Sequence, residues 1–111
     1  MNDHKYSIEF IRKGNDELRK SLKTDLMNKV VLTRSVHESI DRDLILEAVR
    51  GFDDFNSSND PYGEHDGALF KVNNKTYFWK IDYYDHNLEY GVDPKEELPF
   101  RLLTIMEASE R

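Results

Sequence analysis

The N-terminal part of the chain has the apolar spacing of an amphipathic helix. Charged residues occupy the other face, and the apolar positions are Ile8, Ile11, Leu18 and Leu22. The pattern predicts a helix over residues 6 to about 22. Gly14-Asn15 interrupts it, so the segment is either one helix with a weak point or a short turn followed by a helix that is capped near Asn15.

Two more elements are predicted before the middle of the chain. Residues 29–33 are short and rich in β-branched side chains, which is typical of a strand. The segment Ser39-Ile-Asp41 then leads into a second amphipathic pattern, whose apolar positions are Leu44, Ile45, Ala48 and Val49. We expect this helix to stop at Gly51, because glycine commonly follows the last residue of a helix.

A β-hairpin is the clearest local signal. Residues 68–72 and 75–84 are strand-like runs on either side of Asn73-Asn74, and asparagine tolerates the positive φ of a two-residue hairpin turn. Side chains alternate between the two faces of a strand, so we expect one set to face the core: Tyr77, Trp79, Ile81 and Tyr83. Residues 53–67, before the hairpin, are rich in turn formers and predict a long loop, either ordered or mobile.

After the hairpin, Pro99 is placed to begin a last helix with apolar residues at Leu102, Leu103, Ile105 and Met106. The resulting order of elements predicts an α+β fold. Its sheet is small and antiparallel, with about three strands near residues 29–33, 68–72 and 75–84, and helices pack on one face of it. The 111 residues suffice for one domain, which we expect to span residues 1–111.

Composition and charge narrow the classes of protein. The chain has no cysteine, which excludes disulfides, thiolate metal sites and a cysteine nucleophile. No apolar run approaches the roughly 20 residues that span a bilayer, and the first five residues lack an apolar signal-peptide core. We therefore expect a full-length cytoplasmic protein without a membrane association. Residues 51–97 carry eleven acids against four lysines, a balance that disfavours direct nucleic-acid binding and favours cations or basic proteins.

The first candidate site is Asn59-Asp60-Pro61-Tyr62-Gly63-Glu64-His65-Asp66. Its oxygen-rich composition suits a hard cation, with Asp60, Glu64 and Asp85 as candidate ligands, and a histidine beside carboxylates can act as a general base. The spacing matches neither a calcium-binding loop nor the H-E-x-x-H zinc motif. The competing interpretation is a hydrogen-bonded turn without a role in chemistry.

The second candidate is Trp79-Lys80-Ile81-Asp82-Tyr83-Tyr84-Asp85-His86, in which Lys80, Asp82 and Tyr84 project opposite Trp79. A lysine and an aspartate on one strand face usually form a surface pair of little energetic value. Alternatively, this face and the first motif converge, and His65, Asp66, Asp82 and Asp85 share a cleft. The candidate binding residues are Asn59, Asp60, Tyr62, Glu64, His65, Asp66, Lys80, Asp82, Tyr84 and Asp85.

These two strings carry a resemblance to a known family. Together with residues 15–19, 30–34, 93–94 and 101–106, they resemble domain-of-unknown-function family 3768, through the signatures NDPxGEHD and WKIDYYD. The resemblance implies a small bacterial protein that is often encoded on plasmids and other mobile elements. The chain departs from the family pattern after the histidine, where Asp66 is followed by Gly67-Ala68, and after Arg34, where Ser35 replaces a glycine.

Two functions from different classes follow. The first is an acidic accessory factor of a mobile element, such as a plasmid or phage, that binds a basic host protein. In a narrower form of this hypothesis, the host protein is one that binds nucleic acid. The accessory factor would inhibit a defence or nucleic-acid-processing protein, in the manner of an anti-CRISPR, anti-restriction or DNA-mimicking protein. The alternative is a hydrolase with His65 as general base, oriented by Asp66 or Asp82. No cofactor is expected for the first function, whereas a divalent cation belongs to the second.

Overall fold

The computed structural model describes residues 4–111, so the prediction about the first residues of the chain lies partly outside the described residues. Within that range the chain forms an α+β fold, as predicted. Its elements are α1 (Ile8–Ser21), β1 (Asn28–Leu32), α2 (Arg34–His37), α3 (Arg42–Arg50), β2 (Gly67–Val72), β3 (Lys75–Tyr84), β4 (Phe100–Glu107) and a final 3-10 turn (Ala108–Glu110).

The four strands form one mixed sheet in the order β1-β4-β3-β2. The β2–β3 hairpin turns at Asn73-Asn74, both with positive φ, and β4 pairs antiparallel with β3. At the other side of β4, β1 runs parallel to it. The strands predicted near 29–33, 68–72 and 75–84 are therefore present, whereas the sheet has four strands and mixed directions instead of about three antiparallel ones.

The prediction of a last helix that begins at Pro99 is wrong, because residues 100–107 form β4, one of the two inner strands of the sheet. A strand with neighbours on both sides and a partly covered second face carries apolar residues on both of its faces. Leu103 and Ile105 are fully buried on one face, while Leu102 and Met106 lie on the other. This arrangement gives a continuous apolar run whose spacing also fits a helix.

The interruption at Gly14-Asn15 does not break α1, which is one helix. Ser7 caps its start by accepting a hydrogen bond from the Phe10 amide, and Leu22 ends it in the left-handed conformation. Gly14 is needed for a different reason. A Cβ at this position would lie 2.4 Å from Nη2 of Arg101, so the absence of a side chain lets the guanidinium pack against the helix.

The hydrophobic core lies between the three helices and one face of the sheet. Trp79 is its largest fully buried side chain, and Tyr77 and Ile81 on the same strand face are also buried. The helices contribute Leu18 from α1, Val36 from α2, and Ile45 and Val49 from α3. This confirms the prediction that the Trp79 face of the second hairpin strand points to the core.

The opposite face of the sheet, which points away from the core side chains of α1, α2 and α3, is here called the open face. It carries Phe78, Lys80, Asp82 and Tyr84 of β3, and the neighbouring strands add residues of the same pleat, Leu69 of β2 and Met106 of β4. At one end, the guanidinium of Arg111 lies 5.3 Å above the Phe78 ring. Among the described residues, no helix combines the length and apolar character that a membrane crossing requires.

Candidate functional site

The long loop between α3 and β2 is held in place by the polar face of α1. Nε of Arg12 donates to the carbonyl oxygen of Gly63 at 2.6 Å, and Nδ2 of Asn15 donates to the carbonyl oxygen of Glu64 at 3.0 Å. Asp16 and Arg19 continue the same helix face one turn later. The sequence left open whether this loop is ordered or mobile. The hydrogen bonds from α1 to its backbone carbonyl groups favour an ordered loop.

Asn15 is the centre of a hydrogen-bond network that joins the loop, α1 and the sheet. It is fully buried, and its Nδ2 also donates to the hydroxyl of Tyr83 at 2.8 Å, while its Oδ1 accepts from Nε of Arg101 at 2.7 Å. The Tyr83 hydroxyl in turn donates to Oε1 of Glu64 at 2.7 Å. Burial, and then the bond to Glu64, raises the pKa of Tyr83, so the phenol stays a donor.

His65 lies between two carboxylates on this inner side of the loop. Its Nδ1 is 2.8 Å from Oδ1 of Asp16, and its Nε2 is 3.6 Å from Oδ2 of Asp60. The Asp60 side chain is only 6% exposed, and its Oδ1 also accepts the backbone N–H of His65 at 3.1 Å. The imidazole stacks on Phe55 with ring centroids 3.7 Å apart, and the residue has a φ of 56°.

Arg19 connects this histidine cluster to the core. Its Nη2 donates to the same Asp16 oxygen at 3.2 Å, and its Nη1 donates to the last carbonyl groups of α3, at Val49 and Arg50. The guanidinium also lies 5.5 Å from the Phe55 ring and 5.7 Å from the Trp79 ring, within range of a cation–π contact. The loop, both longer helices and the sheet therefore meet at one buried cation.

The outer side of the same loop borders a groove of about 480 Å³ on the open face. Asp66 at the end of the loop and Asp82 on β3 both line it, and Nζ of Lys80 is 2.8 Å from Oδ2 of Asp82. Its other walls combine polar and apolar groups, chiefly Ser58, Asn59, Gly67, Leu69, Phe78 and Arg111. The groove thus joins the two polar motifs of the sequence.

Asp66 is electrostatically strained in this groove. Burial is the largest cause that raises its pKa above the ordinary aspartate value, and the charges of Glu64, Asp60 and Asp82 raise it further. An ionised Asp66 is therefore less favourable here than in water. A nearby cation would offset the part that comes from the neighbouring acids, but not the part that comes from burial.

The convergence predicted from the sequence is found for part of the proposed set. Asp66 and Asp82 share the groove with Lys80 and Asn59, whereas His65 lies on the inner side with Asp16. Asp85 is occupied elsewhere, since its Oδ1 accepts the amides of Asn87 and Glu89 in its own turn.

The remaining predicted residues have separate surroundings. Tyr62 is 78% exposed on the loop. Tyr84 is half-buried at the far end of β3, opposite Phe100 and bridged to Gly91. Asn59 shapes the loop, since its Nδ2 donates to the Asp54 carbonyl at 2.8 Å.

The three candidate metal ligands do not form one cluster. Asp60 contacts His65, Glu64 accepts from Tyr83, and Asp85 caps its own turn. Within residues 4–111, no group of three or more histidine and acidic side chains has the geometry to hold a metal ion. What the described arrangement offers chemically is a groove lined by two acids, Asp66 and Asp82, of which Asp82 is already paired with Lys80.

Several residues of this region were not selected from the sequence. On the inner side these are Arg12, Asn15, Asp16, Arg19, Phe55 and Arg101, and in the groove they are Ser58, Gly67, Leu69, Phe78 and Arg111. A signal exists for α1, where the polar residues 12, 15, 16 and 19 recur at helical spacing. However, polar residues at this spacing are also typical of a helix face that is exposed to solvent.

A comparison with models of protein families matches most of the chain to one family. The sequence model described as "Protein of unknown function (DUF3768)" matches residues 24–110, and the chain belongs to this family. The match begins after residues 15–19, so that part of the resemblance lies outside the matched range. No match was found among the curated proteins or among the solved structures.

Proposed function

We propose that this protein is a small acidic binding protein that attaches to a basic surface of another protein through the groove on its open face. The observation that carries the proposal is the meeting of Asp66 and Asp82 in that groove. In the fuller form, the protein is an accessory factor of a bacterial mobile element that inhibits a host defence or nucleic-acid-processing protein. The mobile-element setting comes from the family resemblance described above.

The energetics of Asp66 support a cationic partner. Its raised pKa arises from burial and from neighbouring carboxylates, so ionisation of Asp66 costs more free energy in the free protein than in water. A lysine or arginine side chain in the groove would stabilise that charge, whereas a phosphate group would add to the repulsion. Lys80 and Arg111 also line the groove, but Lys80 is paired with Asp82, so the position beside Asp66 favours a basic side chain over a phosphate group.

The distribution of the other acids favours a local site over an extended DNA-mimicking surface. Asp60, Glu64 and Asp85 accept hydrogen bonds within the protein, and Asp93 accepts the Lys95 amide. These groups hold turns and contribute less to an array that imitates phosphates. The proposal therefore requires only that the groove binds one basic side chain of the partner. DNA mimicry would be a special case of it.

The alternative is a hydrolase that uses His65. It is favoured by the 2.8 Å contact between Asp16 and Nδ1, which would orient the ring, and by a surface pocket of about 300 Å³ that both residues line. However, Nε2 faces the nearly buried carboxylate of Asp60, so no ring nitrogen is directed at a substrate. The geometry therefore supports this function less well than binding.

The test is affinity capture of the tagged full chain from bacterial lysate, with bound proteins identified by mass spectrometry at low and moderate salt. We expect one basic, nucleic-acid-handling protein that wild type retains and that moderate salt releases. The purified partner should then lose nucleic-acid-processing activity when the protein is added in excess.

The matched variants are Asp82→Lys in the groove and Glu97→Lys on an exposed position outside it, which change the net charge equally. The proposal predicts that Asp82→Lys abolishes capture and that Glu97→Lys retains it. Equal capture by both variants would contradict the groove as the binding site. Loss of a hydrolytic activity in His65→Ala, with capture unchanged, would favour the enzyme instead.

A further inference from the structure

We propose that the free edge of β2 and the adjoining groove together bind an extended segment of the partner. The segment adds a fifth strand to the sheet beside β2 and places a lysine or arginine side chain in the groove. This inference rests on the proposed binding function, because it specifies what the groove recognises.

The register of the hairpin shows which backbone groups of β2 are available. The amide of Ile81 donates to the carbonyl oxygen of Asp66 at 2.7 Å, so residues 66 and 81 form a hydrogen-bonded pair. Hydrogen-bonded and non-hydrogen-bonded pairs alternate along an antiparallel ladder. Ala68, Phe70 and Val72 consequently bond to β3, and the backbone groups of Gly67, Leu69 and Lys71 point away from the sheet.

The two edges of the sheet differ in how they are covered. At β1, the amide of Val30 donates to Oγ1 of Thr24 at 3.1 Å, and the carbonyl of Asn28 accepts the Asp25 amide at 2.8 Å. At β2, no residue of the described range outside β3 hydrogen-bonds to the backbone. An uncovered edge with free N–H and C=O groups is a template for an added strand.

The edge and the groove are continuous, which gives the added strand a position for its side chains. Gly67 and Leu69 belong to both. Because Gly67 has no side chain, it places no group on the open face between the edge and its ladder partner Lys80. A Cβ at Gly67 would already lie 3.6 Å from Cβ of Lys80, so a side chain at this position would narrow that passage.

The chemistry of the segment follows from this layout. Its residues alternate between the two faces of the sheet, and those on the open face stand beside Gly67 and Leu69. The residue beside Gly67 is lysine or arginine, whose charged end reaches Asp66 and shares Asp82 with Lys80. The residue beside Leu69 is apolar, because Leu69 is 44% exposed and Phe78 is its neighbour on β3.

The probe is a displayed library of random twelve-residue peptides selected on the immobilised full chain. We expect enriched peptides with a basic residue two positions from an apolar one within a β-branched stretch. On binding a synthetic copy, the amides of Leu69 and Lys71 should gain protection from hydrogen exchange, a readout that needs no variant. Absence of enrichment, or enrichment of peptides without a basic residue, would overturn the inference.

The variants separate pairing of the backbone from the side chains. Lys71→Pro removes an outward N–H and is expected to weaken the peptide at least tenfold, whereas Lys71→Ala removes the same side chain, keeps the N–H and should bind like wild type. Asp82→Asn should weaken binding about tenfold, the size expected for a charge-assisted hydrogen bond, and Glu97→Gln should not. Circular dichroism confirms that each variant is folded.

The outcome also distinguishes this inference from the proposed function. If Lys71→Pro still captures the basic partner from lysate and Asp82→Lys does not, the binding function stands and strand addition is wrong. If neither variant affects capture, the proposed site itself is wrong.

Discussion

Two consecutive residues of one loop, His65 and Asp66, lie in opposite environments. His65 faces inward, between the carboxylates of Asp16 and Asp60 and against the Phe55 ring. Asp66 faces the groove on the open face, where burial and neighbouring acids raise its pKa. The inner side is thus a hydrogen-bonded cluster in which the buried Nε of Arg19 alone lacks a partner among the described side chains of that side, whereas no ion pair of the described residues engages Asp66 on the outer side.

This contrast separates two roles that look alike in the sequence. Polar groups that are fully paired inside a protein stabilise and position the chain, whereas a carboxylate held in an unfavourable setting is suited to bind an incoming partner. The string from Asn59 to Asp66 contains both kinds. We therefore expect substitutions on the inner side to change stability and substitutions in the groove to change binding.

The largest effect is expected for Asn15→Ala on the inner side. The change leaves the Glu64 carbonyl, the Tyr83 hydroxyl and Nε of Arg101 without their buried partner, and each such loss costs about 1–3 kcal/mol. We expect the free energy of unfolding in urea to fall by about 3 kcal/mol or more. Asn87→Ala, at an exposed position, is the control and should change it by less than about 0.5 kcal/mol.

A smaller loss of stability is expected for His65→Ala, about 1–2 kcal/mol, because the contacts with Asp16 and Phe55 disappear. The φ of 56° adds a second effect, since alanine tolerates the left-handed region poorly and glycine adopts it readily. His65→Gly should therefore be less destabilised than His65→Ala in urea unfolding. His86→Ala, on an exposed turn, serves as control, and equal losses at positions 65 and 86 would argue against the inner cluster.

The smallest effect on stability, and one of opposite sign, is expected for Asp66→Asn. Because the folded-state pKa of Asp66 is raised, its protonated form stabilises the fold at acid pH, and this contribution is lost as the pH rises through that pKa. The amide variant should therefore have a slightly higher Tm than wild type at pH 7. Below the ordinary aspartate pKa of 3.8 the difference should vanish.

The same variant should bind the partner more weakly, so stability and binding are expected to move in opposite directions. Asp54→Asn, at an exposed position of the loop, is the matched control for the thermal scans. A lower Tm for Asp66→Asn at pH 7 would show that Asp66 belongs with the structural residues of the inner side.

The hairpin could be predicted because its signals are local. Asn73-Asn74 adopts the turn that its residue type favours, and the alternation around Trp79 reports a strand with one buried face. β4 could not be predicted in the same way. Leu103 and Ile105 are buried on its core face and Met106 is buried on its other face, so apolar residues follow one another and the period of two is lost.

The candidate site, too, could be predicted only where its signal is local in the sequence. Asp66 and Asp82 were selected from composition, and they meet in the groove because Gly67 pairs with Lys80 in the hairpin. The role of Asn15 and Asp16 was missed, because a polar helix face predicts contact with solvent. Here it contacts a loop some fifty positions later in the chain, as the Asn15–Glu64 bond shows with a separation of 49 residues.

The place of β4 in the sheet also determines the order in which the protein can assemble. During synthesis, β1 and the β2–β3 hairpin leave the ribosome first, but each pairs with β4 and neither pairs with the other. The hairpin can form early because its contacts are local, whereas β1 must wait, with an unpaired edge, until residues 100–107 have emerged. A nascent chain that stalls before β4 would consequently leave unpaired the edges of β1 and β3 that β4 joins, and chaperones and proteases would have access to them.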